Sequence, residues 1–305
     1  MKKDLIGILK KIKASGQKLA CLTAYDYPSA RLLDESGTDL ILVGDSLGMV
    51  VLGHSDTTQV TLAEIEHHLK AVRRGVSEST RIRSKRLSAD KVQGALKDQS
   101  CSGVNIPEDP SAGATQQFLA EVEIQKNSIV AADLPAGSAD TIEQAVVSSL
   151  KLQASGADMV KLEGAHPHHI RAIVAAGVPV IGHLGMLSQQ VLLEGCYSVK
   201  GKTEVDAERL LREARLVEEA GASALVLELI VPSVARRITQ ELSIPTIGIG
   251  AGDDCDGQIL VLTDLLGLQP WFCPAHVKKQ YNLASYFKKA VKEYIYDTKV
   301  NKTNE

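Results

Sequence analysis

The chain has 305 residues, of which 44% are hydrophobic and 23% are charged, and these values are typical of a globular protein with an ample core. The formal net charge of −3 argues against a nucleic-acid-binding protein, because such proteins need a basic face for phosphates. No apolar run approaches the roughly 20 residues that cross a bilayer, so we expect no membrane partner.

The start of the chain predicts an amphipathic helix rather than a targeting signal. Its apolar stretch is short, and Lys10, Lys11 and Lys13 interrupt the apolar pattern at its end. The five cysteines are scattered and form no CxxC pair, which is typical of a reducing compartment. We therefore expect a cytoplasmic protein.

Short apolar strands alternate with helical patterns along the chain. Strands are predicted near 18–25, 39–45, 129–133, 158–163, 178–184, 224–229 and 245–250, with an eighth at 259–263. Helices are predicted near 27–36, 62–74, 140–155, 167–176, 204–220, 232–241 and 281–297. This alternation indicates an α/β protein with a parallel sheet, and about eight units predict a single (β/α)8 TIM-barrel domain over 1–305. An open doubly wound sheet is the alternative fold.

One polar segment, 77–128, interrupts the alternation. It is rich in Ser, Gln, Asp and Lys, and Phe118 is its single aromatic residue. Because such a segment buries little apolar surface, we expect a flexible insertion between the second helix and the third strand, with short helices near 88–98 and 114–125. Helix-to-strand loops of a barrel lie opposite the active site, so an insertion here would leave the chemistry intact.

Four of the predicted strands end in an acidic residue. They are Asp45, Asp133, Glu163 and Glu228. Ionised carboxylates avoid apolar cores, so a buried strand has no structural use for a terminal acid. If the strand ends converge, as they do at the carboxyl face of a barrel, these acids would form a metal site and a catalytic base.

Three polar neighbours complete the candidate site. Ser46 can donate its hydroxyl to a substrate carboxylate, Lys161 shares a strand face with Glu163, and His183 ends the fifth strand near a possible keto oxygen. Structural alternatives remain open for each of these positions: an Asp-Ser turn, a helix N-cap at Asp133, a Lys–Glu ion pair and a satisfied core histidine. The histidines at 166–169 favour a solvated helix start over a zinc site.

These residue types together predict metal-assisted carbon–carbon bond formation on a 2-oxo acid. Asp45 and Asp133 offer the oxygen ligands that Mg²⁺ prefers, with Glu163 near the ion and Lys161 on a substrate oxygen. The ion would acidify the C–H next to the keto group, and Glu228, among apolar neighbours, would remove that proton as a general base. The resulting enolate would attack a one-carbon or carbonyl electrophile.

Ten motifs recur in order over nearly the whole chain outside 77–128. They are LTAYD (22–26), LVGDSLGM (42–49), GH (53–54), AVRRG (71–75), ADLP (132–135), MVKLEG (159–164), GHLG (182–185), LVLE (225–228), IPTIGIGAG (244–252) and DGQILV (256–261). Together they resemble the ketopantoate hydroxymethyltransferase family.

The resemblance implies a TIM barrel of the phosphoenolpyruvate/pyruvate type that assembles as a homo-oligomer, often a decamer. It implies transfer of a hydroxymethyl group from 5,10-methylenetetrahydrofolate to 3-methyl-2-oxobutanoate, giving 2-dehydropantoate on the route to pantothenate and coenzyme A. One Mg²⁺ per subunit is implied. The family's residue roles fall on Asp45, Asp133 and Glu163 as metal ligands, on Asp45, Ser46, Asp133 and Lys161 as substrate contacts with His183 nearby, and on Glu228 as proton acceptor.

This sequence departs from the family pattern in several loops. Leu187 and Ser188 replace a Thr-Pro pair, Ala136 follows Asp-Leu-Pro in place of a bulky residue, and the tail after Gly267 looks distinct. These changes bear on folate affinity more than on the metal site. Two other functions therefore stay open: a folate-independent, Mg-dependent 2-oxo acid aldolase or lyase, and a weakly active homologue that serves as a binding or assembly protein.

Overall fold

Eight parallel strands close into a barrel in chain order, β1 to β8. The computed structural model describes residues 5–90, 128–278 and 281–300. The strands are β1 (Leu19–Thr23), β2 (Leu40–Val43), β3 (Ile129–Asp133), β4 (Met159–Glu163), β5 (Val180–Gly185), β6 (Ala224–Glu228), β7 (Thr246–Ile249) and β8 (Gly257–Leu260). Closure is direct, because β1 pairs with β8. The predicted (β/α)8 barrel is confirmed, and the open sheet is wrong.

Helices precede the first strand, connect most of the successive strands and follow the last strand. They are α1 (Leu5–Ser15), α2 (Tyr27–Glu35), α3 (Leu47–Val50), α4 (Leu62–Asp90), α5 (Ile142–Ala154), α6 (Pro167–Ala175), α7 (Val191–Glu194), α8 (Glu204–Glu219), α9 (Pro232–Glu241), α10 (Leu262–Leu265) and α11 (Leu283–Val300). Over the ranges that the structure describes, no helix is both long and apolar enough to span a membrane.

Two predicted boundaries are wrong. The helix predicted to stop near residue 74 runs on to Asp90, into the stretch expected to be a loop. The eighth strand, predicted at 259–263, ends at Leu260, because the next residues turn into α10 and the Leu262 N–H donates to Thr23 Oγ1 at 3.1 Å. The rest of the predicted insertion, 91–127, lies outside the described residues.

The chain re-enters the barrel through a buried anchor at Ser128. Its N–H donates to Asp34 Oδ1 and its hydroxyl donates to the Thr38 carbonyl, both at 2.7 Å. Asp34 belongs to α2 and Thr38 precedes β2, so both partners of Ser128 come before residues 77–128 in the chain. These two hydrogen bonds fix the start of β3 against α2 and β2, whatever the conformation of the intervening residues.

The cap of the helix after β3 excludes one structural interpretation of Asp133, namely that Asp133 is the N-cap of that helix. Thr141 caps α5: its side chain accepts the Gln144 N–H at 3.2 Å, and the Gln144 side chain accepts the Thr141 N–H at 3.0 Å. This is a capping box, which satisfies two of the free amide groups at the start of a helix. Asp133 is therefore not the N-cap of α5, and its carboxylate faces the barrel.

Apolar side chains fill two layers. One lies inside the barrel and contains Leu19, Met159, Ile181 and Val226, with Leu9 of α1 packed against it; the other lies between the strands and the helices. Because successive side chains of a strand point to opposite faces, every second residue continues the interior layer. The polar residues at the strand ends continue this inner layer.

Candidate active site

Five polar side chains end the interior layer at the carboxyl end of the barrel. They are Asp133, Lys161, Glu163, His183 and Glu228. Lys161 follows the interior residue Met159 by two positions, and Glu228 follows Val226 in the same way. With Asp45 and Ser46, just beyond β2, they line one cavity of about 660 Å³. The structure thus brings all seven predicted site residues together.

Asp45, Asp133 and Lys161 form a buried charged group. Lys161 Nζ lies 2.7 Å from Asp133 Oδ1, and the Asp45 N–H donates to Asp133 Oδ2 at 2.9 Å. Burial raises the pKa of Asp45 well above its ordinary value, and the nearby Asp133 adds to the rise. Burial lowers the pKa of Lys161, but Asp133 and Asp45 outweigh it and hold the pKa above its ordinary value, so Lys161 is charged.

His183 stands between two carboxylates. Its Nδ1 lies 3.3 Å from Glu163 Oε1, and its Nε2 lies 3.2 Å from Glu228 Oε2. Burial and Lys161 lower the pKa of His183, but Glu163 and Glu228 outweigh them and raise it to about 9. Burial raises the pKa of Glu163, but His183 and Lys161 lower it to about 2. The pair is therefore ionised at neutral pH, and His183 is not an apolar-core histidine.

The backbone around the end of β6 positions Glu228. A Cβ at Gly185 would clash with the Glu228 carbonyl oxygen, so β5 approaches β6 here only because residue 185 is glycine. Leu229, the residue after Glu228, has φ +47, which is uncommon for a residue with a side chain. The turn leaves the Glu228 side chain 20% exposed, whereas that of His183 is 2% exposed. Of the two acids beside His183, Glu228 is the more accessible, because the Glu163 side chain is only 4% exposed.

Sequence reasoning missed three residues that hold the candidate side chains. Gln189 Nε2 donates to Asp45 Oδ2 at 2.8 Å, and the Gln189 N–H donates to Glu163 Oε2 at 3.1 Å. Ser188 Oγ donates to Glu163 Oε1 at 3.0 Å. Tyr25 OH lies 2.8 Å from Ser46 Oγ. The signals were present, because Tyr25 is in the LTAYD motif and Ser188 stands at a departure from the family pattern.

The acids, the lysine and the histidine of the candidate site meet in one cavity. The family model described as ketopantoate hydroxymethyltransferase matches residues 4–84 and 115–303 of this chain. The chain belongs to the ketopantoate hydroxymethyltransferase family. Members of the ketopantoate hydroxymethyltransferase family are transferases, and this chain is an enzyme of that class, which argues against a binding or assembly protein.

Similar proteins agree with the ketopantoate hydroxymethyltransferase assignment. A 3-methyl-2-oxobutanoate hydroxymethyltransferase from Syntrophus aciditrophicus is 38% identical over 302 residues, covering 98% of this chain and 93% of the relative. Another from Moorella thermoacetica is 41% identical over 290 residues, covering 94% and 90%. A solved phosphoenolpyruvate phosphomutase from Streptomyces platensis subsp. rosaceus has a TM-score of 0.56 at 12% identity and covers 97% of this chain and 88% of that chain. This last likeness shows the fold alone.

The extent of the ketopantoate hydroxymethyltransferase match corrects two expectations. The match runs to residue 303, so the tail after Gly267 is part of the family pattern. The unmatched stretch is 85–114, which is shorter than the interruption at 77–128 predicted from composition.

Two carboxylates of the site suit a hard divalent cation. Across the described ranges, no group of three or more His, Cys, Asp or Glu side chains is spaced to hold a metal ion. Asp45 and Asp133 nevertheless bring two buried carboxylates to the same cavity, and their mutual repulsion is what a cation would relieve. Mg²⁺ is usually bound by one or two carboxylates, with water and substrate oxygens in the other positions. These residues therefore fit Mg²⁺.

Proposed function

We propose that this enzyme transfers a hydroxymethyl group from 5,10-methylenetetrahydrofolate to 3-methyl-2-oxobutanoate, giving 2-dehydropantoate for pantothenate biosynthesis. The observation that carries the proposal is the pairing, in one cavity, of a partly exposed acid, Glu228, with the buried cations Lys161 and His183. A base and fixed positive charges are what the removal of a proton next to a keto group needs. The names of the relatives support 3-methyl-2-oxobutanoate as the acceptor and a hydroxymethyl group as the group transferred.

Asp45 and Asp133 would hold Mg²⁺, one per subunit, and Glu163 is the third candidate ligand. When bound, it would polarise the oxygens of the 2-oxo acid and so acidify the hydrogen at C3. Gln189 holds Asp45 through its side chain and Glu163 through its N–H, so one residue positions both acids. Lys161 offsets one of the two negative charges when the ion is absent.

The remaining side chains bind the substrate and move its proton. Ser46, oriented by Tyr25 at 2.8 Å, donates to the substrate carboxylate, and Lys161 lies beside the oxygen on which charge develops. Glu228 takes the C3 proton, and His183 at 3.2 Å holds the Glu228 carboxylate in place. Overall, C3 bonds to the methylene carbon of the folate, and both bonds from that carbon to N5 and N10 break. One water molecule supplies the hydroxyl group of the product. The C3 proton and the two water protons provide the hydroxyl hydrogen and the two N–H hydrogens of the tetrahydrofolate that leaves.

Proton exchange at C3 tests the first half of the reaction without folate. In D₂O we expect the enzyme with Mg²⁺ to replace the C3 hydrogen of 3-methyl-2-oxobutanoate by deuterium, and EDTA to stop the exchange until Mg²⁺ is added back. NMR measures the loss of the C3 proton signal. Exchange that continues at full rate in EDTA would refute the metal assignment. Exchange without product formation on adding the folate would favour the folate-independent aldolase or lyase.

Gln189 offers a second test of the metal site. Gln189→Ala removes the donor to Asp45 and leaves the cavity otherwise intact, so Mg²⁺ affinity measured by calorimetry should fall by about 10- to 100-fold. The matched control is Gln190→Ala, because Gln190 neighbours Gln189 but, among the described hydrogen bonds, donates to neither Asp45 nor Glu163. Equal Mg²⁺ affinity in the two variants would show that Gln189 does not position Asp45.

We further propose that the enzyme is a homo-oligomer, the decamer being the form implied by the family. Helix α11 supports this, because Phe287 is 67% and Tyr294 72% exposed, and Ala284 alone of its side chains is buried. The outer faces of β1 and β8 are also bare, at Ala20 and Gln258. A second copy of the chain is the occupant that covers both surfaces.

Phe287→Glu should lower the mass of the oligomer measured by sedimentation, whereas Lys289→Glu on the same helix should not. Equal masses for the Phe287→Glu variant and the unaltered enzyme would contradict this interface.

A further inference from the structure

The cavity is larger than the 2-oxo acid requires. Its volume of about 660 Å³ is that of a site for a drug-sized molecule, whereas the substrate is a five-carbon acid. The predicted catalytic residues come from β2 to β6. The opposite wall is built by β7, β8 and the residues after them, including Asp264, Phe272 and His276. None of the predicted catalytic residues lies on this wall, so it is available to bind the second substrate.

Asp264 is the unusual residue of this wall. It lies in α10, just beyond β8, and β8 is four strands from β4 in the closed barrel, so it stands across the mouth from Lys161 and Glu163. Its Oδ1 is shielded from solvent and has no hydrogen-bond partner in the part of the chain that the structure describes. Burial raises the pKa of this carboxyl. A carboxylate oxygen that is shielded from solvent and accepts no hydrogen bond is unfavourable, and donors from a ligand would correct this.

We propose that Asp264 binds the pterin ring of the folate, an assignment that rests on the proposed function. The 2-amino-4-oxopyrimidine edge of a pterin presents two adjacent N–H donors. A carboxylate accepts two parallel N–H donors with its two oxygens, as it does from arginine. The aromatic rings of Tyr197 and Phe272 also line the cavity and supply apolar surface for a flat ring.

Glycine-rich turns can bind anions through their N–H groups, and the turn after β7, residues 250–252, is the other feature of this wall. A Cβ at Gly250 would lie 2.7 Å from Leu229 and 3.1 Å from the His276 ring, so the space beside the glycine is already filled. A carboxylate at residue 264 also repels phosphate. Both observations favour a ligand that donates hydrogen bonds, and the pterin edge is of that kind.

Calorimetry with tetrahydrofolate tests the assignment. Asp264→Asn replaces one of the two acceptor oxygens by a donor, so binding should weaken by about 10- to 100-fold. The KM for methylenetetrahydrofolate should rise by a similar factor, while the KM for the 2-oxo acid changes less than about twofold. A purely structural role would raise both KM values together. Asp253→Asn, an exposed aspartate outside the cavity, is the matched control.

A second variant and the C3 exchange measurement keep the outcomes distinct. Asp264→Ala serves if the asparagine variant does not fold. Binding of tetrahydrofolate by the variants as tight as in the unaltered enzyme overturns the Asp264 assignment alone. No binding of tetrahydrofolate to an enzyme that exchanges C3 overturns the folate part of the proposed function, and this assignment with it.

Discussion

Glu228→Gln is expected to lower the rate of C3 proton exchange by about 10²- to 10⁴-fold, the usual contribution of a positioned base. Glutamine has the same shape, and its amide oxygen can take the position that Glu228 Oε2 now occupies, 3.2 Å from His183 Nε2. It cannot take up a proton from carbon. The measurement is NMR of 3-methyl-2-oxobutanoate in D₂O with saturating Mg²⁺.

Two controls make this result specific to the base. Glu219→Gln alters an exposed acid of α8 and should exchange at the normal rate. Calorimetric binding of Mg²⁺ should be similar in Glu228→Gln and the unaltered enzyme, because Glu228 is not assigned to the metal. A Glu228→Gln enzyme that exchanges within about threefold of the normal rate would not use Glu228 as its base, since the expected loss is at least about 100-fold.

The sequence predicts the acids of the site well because two simple rules determine their places. A strand has a side-chain period of two, and a parallel barrel brings all carboxyl ends to one face. An acid such as Glu163, two residues beyond the interior lysine of its strand, therefore has to end in the mouth of the barrel. The motifs then supply the chemical roles, which stay predictions until the exchange experiments are done.

The loops behave differently, because no period governs them. Gln189 contacts both Asp45 and Glu163 only through the turn after β5, and nothing in its spacing from His183 indicates this. The eighth strand was predicted to run to residue 263 but ends at Leu260, so the place of Asp264 at the cavity did not follow from the sequence. The polar composition after Arg74 suggested a loop, yet α4 continues to Asp90. Extending an existing helix needs no new nucleus, and Glu, Arg and Lys are good helix formers.

Lys161→Met is expected to lower the free energy of unfolding by about 3–5 kcal/mol in the absence of Mg²⁺. The Lys161 and Asp133 side chains are 7% and 2% exposed, and their charged atoms are 2.7 Å apart. Removing the ammonium leaves Asp133 and its neighbour Asp45 in a buried site without the cation that offsets them. Urea denaturation in EDTA measures the loss. The control is Lys151→Met, whose pair with Glu66 is at the surface and is worth less than about 1 kcal/mol.

The double variant Lys161→Met/Asp133→Asn separates stability from activity. It removes both members of the buried pair, so most of the lost free energy of unfolding should return, because residue 133 no longer carries an unpaired charge and no longer repels Asp45. Activity should not return, since the double variant lacks a substrate contact and one of the two carboxylates assigned to Mg²⁺. If the double variant is no more stable than Lys161→Met, then Lys161 stabilises the fold through its packing and not through Asp133. Recovery of stability without recovery of C3 exchange would show that the buried charges of this barrel serve catalysis more than folding.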